Sequence, residues 1–156
     1  MPNLPRLLLL LLLPLFCLSA PAEAATGQQT YNTRCSMCHQ PSGAGLPGQF
    51  PRLSGRVAQI AATRDGRDYL VKLLLHGMSG SINVDGKPIS GLMPGAGSLS
   101  DADIAEVLNY SVNLKKVGKP APFTEAEVAK VRAAGKLSAN QVAALRTGLA
   151  VRGAIP

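Results

Sequence analysis

One short run of residues in the sequence has the chemistry to hold a cofactor. Residues 35–39 read Cys35-Ser36-Met37-Cys38-His39, a C-x-x-C-H pattern. Two thiols three positions apart on a helical turn can both add to the vinyl groups along one edge of a porphyrin, and the next residue can give a ring nitrogen to the iron. In an exported protein this pattern predicts covalent attachment of haem c through Cys35 and Cys38, with His39 as an iron ligand.

Two other uses of paired cysteines fit the sequence less well. A thioredoxin-like C-x-x-C needs a surrounding βαβ pattern, and this chain shows no alternation of the kind that strands produce. A zinc site needs two further cysteine or histidine ligands at regular spacing, whereas the only other histidine is His76. The haem prediction is therefore much the strongest of the three.

The N-terminal segment has the pattern of an export signal. Arg6 precedes an apolar run over residues 7–18, which is shorter than the roughly 20 residues that a membrane-spanning helix needs. Residues 22–24 give an A-x-A cleavage pattern ending at Ala24. We therefore expect a secretory signal peptide at residues 1–24, a discarded Cys17 and a periplasmic protein. The alternative is an uncleaved membrane anchor.

The residues around the attachment motif resemble the class I cytochrome c family. Gly27 and Tyr31 precede Cys35 at four-residue steps, similar to the G-x-x-x-[FY]-x-x-x-C pattern of that family's N-terminal helix. Pro51 lies where the family keeps a proline whose carbonyl accepts a hydrogen bond from the axial histidine, here His39. The resemblance covers about residues 26–114 and implies an all-α class I cytochrome c fold, with small helices around one covalently bound haem.

The same resemblance implies a sulfur ligand on the other face of the iron. The run beginning Met93-Pro94 is similar to the family's M-P-x-F-G-x-L-S-D pattern, which implies that Met93 is the second axial ligand. Met78 and His76 are the alternative ligands. Met37 is excluded because it lies between the attachment cysteines and cannot reach the opposite face of the haem. The sequence departs from the family pattern at Ala96, where the family has an aromatic residue. The packing that excludes solvent from the methionine face of the haem is therefore expected to be looser.

Apolar periodicity and capping signals predict the elements that position these residues. The predicted helices cover residues 27–38, 67–76, a segment starting at 100, 125–134 and 139–150. The helix after Ser100 is expected to cross the first helix near Gly27 and Tyr31, and Asp85-Gly86 marks a small turn or hairpin at 83–88. We divide the chain into a haem domain at 25–114 and a linker with a C-terminal helical extension at 115–156. The extension is expected to pack on the haem domain or to dock a partner.

The charge balance limits the classes of partner. The chain carries 16 Lys+Arg against 9 Asp+Glu, a formal net charge of +7. These basic residues do not form a run with interleaved aromatic residues, so we predict no nucleic-acid binding. Steering of an acidic redox partner and ordinary solubility are both left open as reasons for the positive charge. Arg52 and Arg56 are candidates to meet the haem propionates.

The function that the resemblance implies is electron transfer. We expect a periplasmic single-haem carrier that cycles between Fe(III) and Fe(II), is not itself an enzyme, and binds redox proteins rather than a small-molecule substrate. Membrane association is expected only through a partner. Two alternatives are a haem enzyme or gas sensor with an open iron position and His76 as distal base, and a cytochrome subunit of a membrane dehydrogenase complex.

Overall fold

The computed structural model describes residues 26–156, so the predicted signal peptide lies outside the described residues. Within that range the chain forms seven helices and one two-stranded sheet. In chain order the elements are α1 (Gly27–Arg34), α2 (Ser36–His39), α3 (Arg56–Ile60), α4 (Arg64–His76), β1 (Met78–Val84), β2 (Lys87–Met93), α5 (Asp101–Asn113), α6 (Glu125–Ala133) and α7 (Ala139–Val151). The fold is mostly helical, as predicted, but it is not purely all-α.

The predicted crossing of the first helix with the helix after Ser100 is confirmed. Gly27 of α1 lies so close to α5 that a β-carbon there would be 2.6 Å from the carbonyl carbon of Glu106. Tyr31 is fully buried at the same crossing, and its ring centroid lies 5.2 Å from that of Tyr110. Because only a glycine leaves room for this approach, the spacing of Gly27 and Tyr31 sets how α1 packs on α5.

The sheet is an antiparallel hairpin that is longer than the sequence indicates. Its register pairs Val84 with Lys87 at the turn and Met78 with Met93 at the open end. Asp85 and Gly86 both have positive φ angles, 53° and 77°, which matches the tight turns that join two strands. The strands are rich in serine and glycine and lack strict alternation, so the sequence predicted only the turn and not the full ladder.

Most of the longer helices begin at a residue whose side chain caps the helix N-terminus. Ser100 accepts a hydrogen bond from the Asp103 amide (3.0 Å), and Thr124 accepts one from Glu127 (3.2 Å). Ser138 and Gln141 form a complete capping box at the start of α7. These caps confirm the predicted starts of α5, α6 and α7. Thr63 caps α4, which begins at Arg64 instead of 67, and the short α3 was not predicted at all.

The C-terminal extension (residues 115–156) shares one apolar core with the rest of the chain. That core includes Ile60, Leu70, Val71, Ile104 and Leu108 from the earlier helices and, from the extension, Phe123, Val128, Val131, Val142, Leu149 and Ile155. The extension therefore packs on the helices that precede it, which is the first of the two roles expected for it. None of the helices formed by residues 26–156 has the length and apolar character needed to cross a membrane.

Candidate functional site

The attachment motif lies on a broken helical turn. The predicted helix over 27–38 is interrupted at Cys35, and a second short helix, α2, carries the remainder of the motif. The carbonyl of Cys35 accepts hydrogen bonds from the amides of Cys38 (3.2 Å) and His39 (2.9 Å). This turn holds both partly exposed thiols next to the histidine, and the two thiols are not joined by a disulfide.

The pKa of the Cys35 thiol tests the alternative that the two cysteines exchange disulfides as in thioredoxin. Burial, followed by the neighbouring Cys38, raises the pKa of the Cys35 thiol above its ordinary value. Cysteines that attack disulfides have lowered pKa values, because the thiolate is the reactive form. The surroundings of Cys35 are thus the opposite of those that activate a thioredoxin-like thiol. Within residues 26–156, moreover, no group of three or more His, Cys, Asp or Glu side chains could hold a zinc ion.

His39 is held in one orientation. Its side chain is buried, and its Nδ1 lies 2.9 Å from the carbonyl oxygen of Pro51. Burial lowers the pKa of His39, although the bond to Pro51 acts in the opposite direction. A neutral imidazole that donates its Nδ1 proton to a carbonyl keeps the lone pair of Nε2 for a metal. The side chain therefore has the tautomer that an axial ligand needs.

The loop after His39 positions Pro51. Gly43 accepts hydrogen bonds through its carbonyl from Leu53 (2.8 Å) and Ser54 (3.0 Å), which folds the loop back on itself. Gly45 has a positive φ of 67°, and a β-carbon there would lie 2.7 Å from the carbonyl carbon of Pro51. A side chain at position 45 would push Pro51 away from His39. The glycines thus maintain the hydrogen bond that orients the imidazole.

Tyr31 connects the α1–α5 crossing to the same loop. Its hydroxyl donates a hydrogen bond to the carbonyl of Gln40 (2.8 Å), the residue after the motif. Burial raises the pKa of Tyr31 to about 12, so the hydroxyl keeps its proton and remains a donor. The packing of α1 against α5 is therefore coupled through one hydrogen bond to the start of the loop that carries Pro51.

The candidate sulfur ligands lie in different surroundings. Met93 ends β2 and is half-buried, next to the loop that leads into α5. Met78 is buried in the core, and the hydroxyl of Tyr69 lies 3.6 Å from its sulfur. Met37 is 86% exposed, so it points into solvent. A methionine that packs in the core and accepts a hydrogen bond is a poorer candidate than one at a loop boundary.

His76 stays the alternative nitrogen ligand. Its Nε2 is buried and has no hydrogen-bond partner among residues 26–156. Burial and, after it, the charges of Arg132, Lys72 and Lys136 lower the pKa of His76. The side chain is therefore neutral near pH 7. A neutral His76 adds no positive charge at the end of α4.

The two arginines that the sequence offered for propionates differ in their surroundings. Arg52 is engaged with Asp85, to which it donates two hydrogen bonds (2.9 and 3.0 Å). Arg56 is 7% exposed, and Arg146 of α7, which sequence reasoning missed, is 6% exposed. Both donate to the main-chain oxygen of Pro156, so the two guanidinium groups share one acceptor after α7.

Taken together, the donor groups fit a covalently attached haem. Two thiols on one turn, a neutral imidazole with a free Nε2 and a thioether at a loop boundary match the vinyl groups and the iron of that group. The burial of Arg146 could not be predicted from the sequence, because an arginine in a helix is usually exposed. Only the docking of α7 buries this side chain.

The chain is similar to known proteins. The family model described as cytochrome C oxidase, cbb3-type, subunit III matches residues 22–110. Cytochrome c-552 of Thermus thermophilus is 43% identical over 132 residues, which cover 82% of this chain and 99% of that protein. The cytochrome c subunit of a quinone alcohol dehydrogenase from Gluconacetobacter polyoxogenes is 30% identical over 119 residues, 75% of this chain but only 24% of that longer protein.

Proposed function

Because the chain belongs to the class I c-type cytochromes, we propose that it is a periplasmic carrier that holds one haem c and passes single electrons between redox proteins. The observation that carries the proposal is His39, a buried imidazole oriented by Pro51 and adjacent to two free thiols. When bound, the haem supplies the Fe(III)/Fe(II) couple. The protein attaches the group, supplies axial ligands and limits the access of water.

The proposed ligand set follows the residues described above. Cys35 and Cys38 form the thioethers, and His39 and Met93 are the axial ligands. Pro51 fixes the tautomer of His39 and increases the basicity of its Nε2, because hydrogen-bond donation from Nδ1 gives the ring partial imidazolate character. Arg52 and Arg56 stay the candidates to meet the propionates. The haem domain spans 25–114, and the signal peptide at 1–24 is removed near Ala24.

The proposed partners are redox proteins with an acidic docking face. Lys115, Lys116 and Lys119 are exposed in the segment after α5. This segment packs near the loop that carries Pro51, since Gly55 faces the side chains of Lys115 and Val117. Three exposed lysines in a segment that contacts the end of this loop favour steering of an acidic partner over a purely solubilising role. Such charges increase the encounter rate and make it depend on ionic strength.

A second candidate function is that of a cytochrome subunit that works while bound in a dehydrogenase complex. The similarity to the dehydrogenase subunit favours it. The two functions differ in assembly. A free carrier is recovered from the periplasm as a monomeric haem protein, whereas a subunit is recovered from the membrane fraction with its partner and loses its electron donor when it is separated.

The experiment that tests the proposal begins with intact mass. Protein matured in a periplasm should show the chain beginning after Ala24 plus one haem, which acidic organic solvent does not extract. The ferric protein should also show the weak near-infrared band of methionine-ligated low-spin iron, and Met93→Ala should abolish it and admit carbon monoxide to the ferrous iron. Met78→Ala and His76→Ala are the matched controls and should keep the band. A wild-type protein without the band that binds carbon monoxide readily would contradict the carrier function.

A further inference from the structure

Arg132, in the last turn of α6, is bound to the loop that follows Met93. Its guanidinium donates hydrogen bonds to the carbonyl of Gly97 (2.8 Å), the carbonyl of Leu99 (2.9 Å) and the carboxylate of Asp101 (2.7 Å). The first two acceptors lie four and six residues after Met93. A single side chain of the C-terminal extension therefore holds the end of this loop.

The opposite side of the loop is held by α4. The amide of Ala96 donates to the carbonyl of Leu74 (2.6 Å), and β-carbons at Gly95 and Gly97 would lie 2.9 and 2.7 Å from the carbonyl oxygen of Leu75. Residues 94–97 have no helical or strand pairing of their own. The loop is thus fixed between α4 and Arg132, and loss of either contact would leave it free to move.

We propose that Arg132 is a positioning residue for the sulfur ligand of the iron. By fixing the loop behind Met93, the C-terminal extension determines how easily the iron exchanges its thioether for another ligand. The planar guanidinium presents its donors in a fixed fork toward two carbonyls and a carboxylate, and the single ammonium of lysine cannot reproduce this geometry fully. This inference rests on the proposed ligation by Met93.

The chain offers a matched control in Arg67 of α4. Arg67 donates two hydrogen bonds to the carboxylate of Glu127 (2.9 and 2.6 Å), one to the carbonyl of Ala121 (2.6 Å) and one to that of Pro122 (3.1 Å). Its guanidinium carbon also lies 3.9 Å from the ring centroid of Phe123. Arg67 therefore ties the same extension to the body of the protein, but its partners are not in the loop after Met93.

The test compares full-length holoproteins: wild type, Arg132→Gln, Arg132→Lys and Arg67→Gln. The measurements are the near-infrared band, the affinity of the ferric iron for imidazole and the thermal unfolding midpoint. We expect Arg132→Gln to raise the affinity for imidazole at least about tenfold, since a charge-assisted hydrogen bond contributes a free energy that corresponds to about that factor. Arg132→Lys should give a smaller increase in the same direction, and Arg67→Gln should lower the unfolding midpoint with less than about a twofold change in affinity.

The outcomes separate the inference from the proposed function. If wild type shows the band and Arg132→Gln and Arg67→Gln change the affinity for imidazole equally, Arg132 has no positioning role, although ligation by a methionine stands. If wild type lacks the band, ligation by Met93 is wrong, and the inference falls with it. Should Arg132→Gln fail to fold, Arg132→Lys decides, because unchanged affinity in a folded lysine variant also overturns the inference.

Discussion

Replacing Gly27 with alanine tests whether the α1–α5 crossing fixes the position of the haem-attachment turn. The added β-carbon would lie 2.6 Å from the Glu106 carbonyl carbon and 3.0 Å from the β-carbon of Tyr110, and it would approach the Glu106 carbonyl oxygen more closely still. These neighbours are backbone or near-backbone atoms that cannot rotate away. Overpacking of this kind costs about 1–3 kcal/mol, and backbone neighbours place it at the upper end.

Helix propensity acts in the opposite direction. Alanine is up to about 1 kcal/mol more favourable than glycine inside a helix, and Gly27 is the first residue of α1, where this gain is smaller. The net expectation for Gly27→Ala is a loss of about 2 kcal/mol in the free energy of unfolding. Guanidinium denaturation of the ferric holoprotein, followed by far-ultraviolet circular dichroism, measures it.

Gly148→Ala in α7 is the matched control. A β-carbon there would meet only the Arg152 side chain, whose Nη1 lies 3.4 Å away and can move. We expect this variant to gain about 0.4–1 kcal/mol, because alanine restricts the unfolded chain and suits a helix. If Gly148→Ala behaves so and Gly27→Ala is as stable as wild type or more stable, the reasoning about the crossing is refuted.

Two further predictions concern the extension and the hairpin turn. Deletion of residues 119–156 keeps both attachment cysteines and both proposed axial ligands but removes Phe123, Val128 and Val142 from the core. Because each buried side chain of this size contributes about 1.5–3 kcal/mol, the haem should still attach while the thermal unfolding midpoint falls steeply; a midpoint within a few degrees of the intact protein would contradict the shared core. Asp85→Asn removes the ion pair with Arg52, whose hydrogen bond lowers the pKa of Asp85. Because the folded-state pKa is lowered, the ion pair stabilises the protein above the ordinary carboxyl pKa of about 4, and this contribution is lost as the pH falls through the lowered pKa. Variant and wild type should therefore differ slightly at pH 7 and converge once the Asp85 carboxyl is protonated in the folded protein. A difference that persists in acid would show that the ion pair is not its cause.

The parts of the fold that sequence reasoning predicted correctly depend on local signals. The caps at Ser100, Thr124 and Ser138 act within three residues, and helix starts follow from them directly. The spacing of Gly27 and Tyr31 predicted a long-range crossing only because a known family shares it. The ligand assignments to Cys35, Cys38, His39, Pro51 and Met93 stay predictions, although the 2.9 Å contact between His39 and Pro51 is the one that the family resemblance implies.

The parts that were missed depend on contacts distant in sequence. The hairpin is polar, and its strands are stabilised by ladder pairing, by a 2.6 Å hydrogen bond between Ser81 and Ser90, and by α7 packed on β1. Arg132 binds backbone carbonyls 33 and 35 residues away, and carbonyls leave no residue-specific signal in a sequence. Burial of Arg146 likewise depends on where α7 docks. The break at Cys35 interrupts a pattern that is otherwise continuously helical, so no propensity signal marks it.

The core shared with the extension has a consequence for the order in which the protein is assembled. A chain is synthesised from its N-terminus, so the turn with Cys35 and Cys38 emerges well before Val142, Leu149 and Ile155. Until these residues follow, the shared core is incomplete. The attachment turn therefore precedes the completed core, which is reached when α7 packs against α4 and β1.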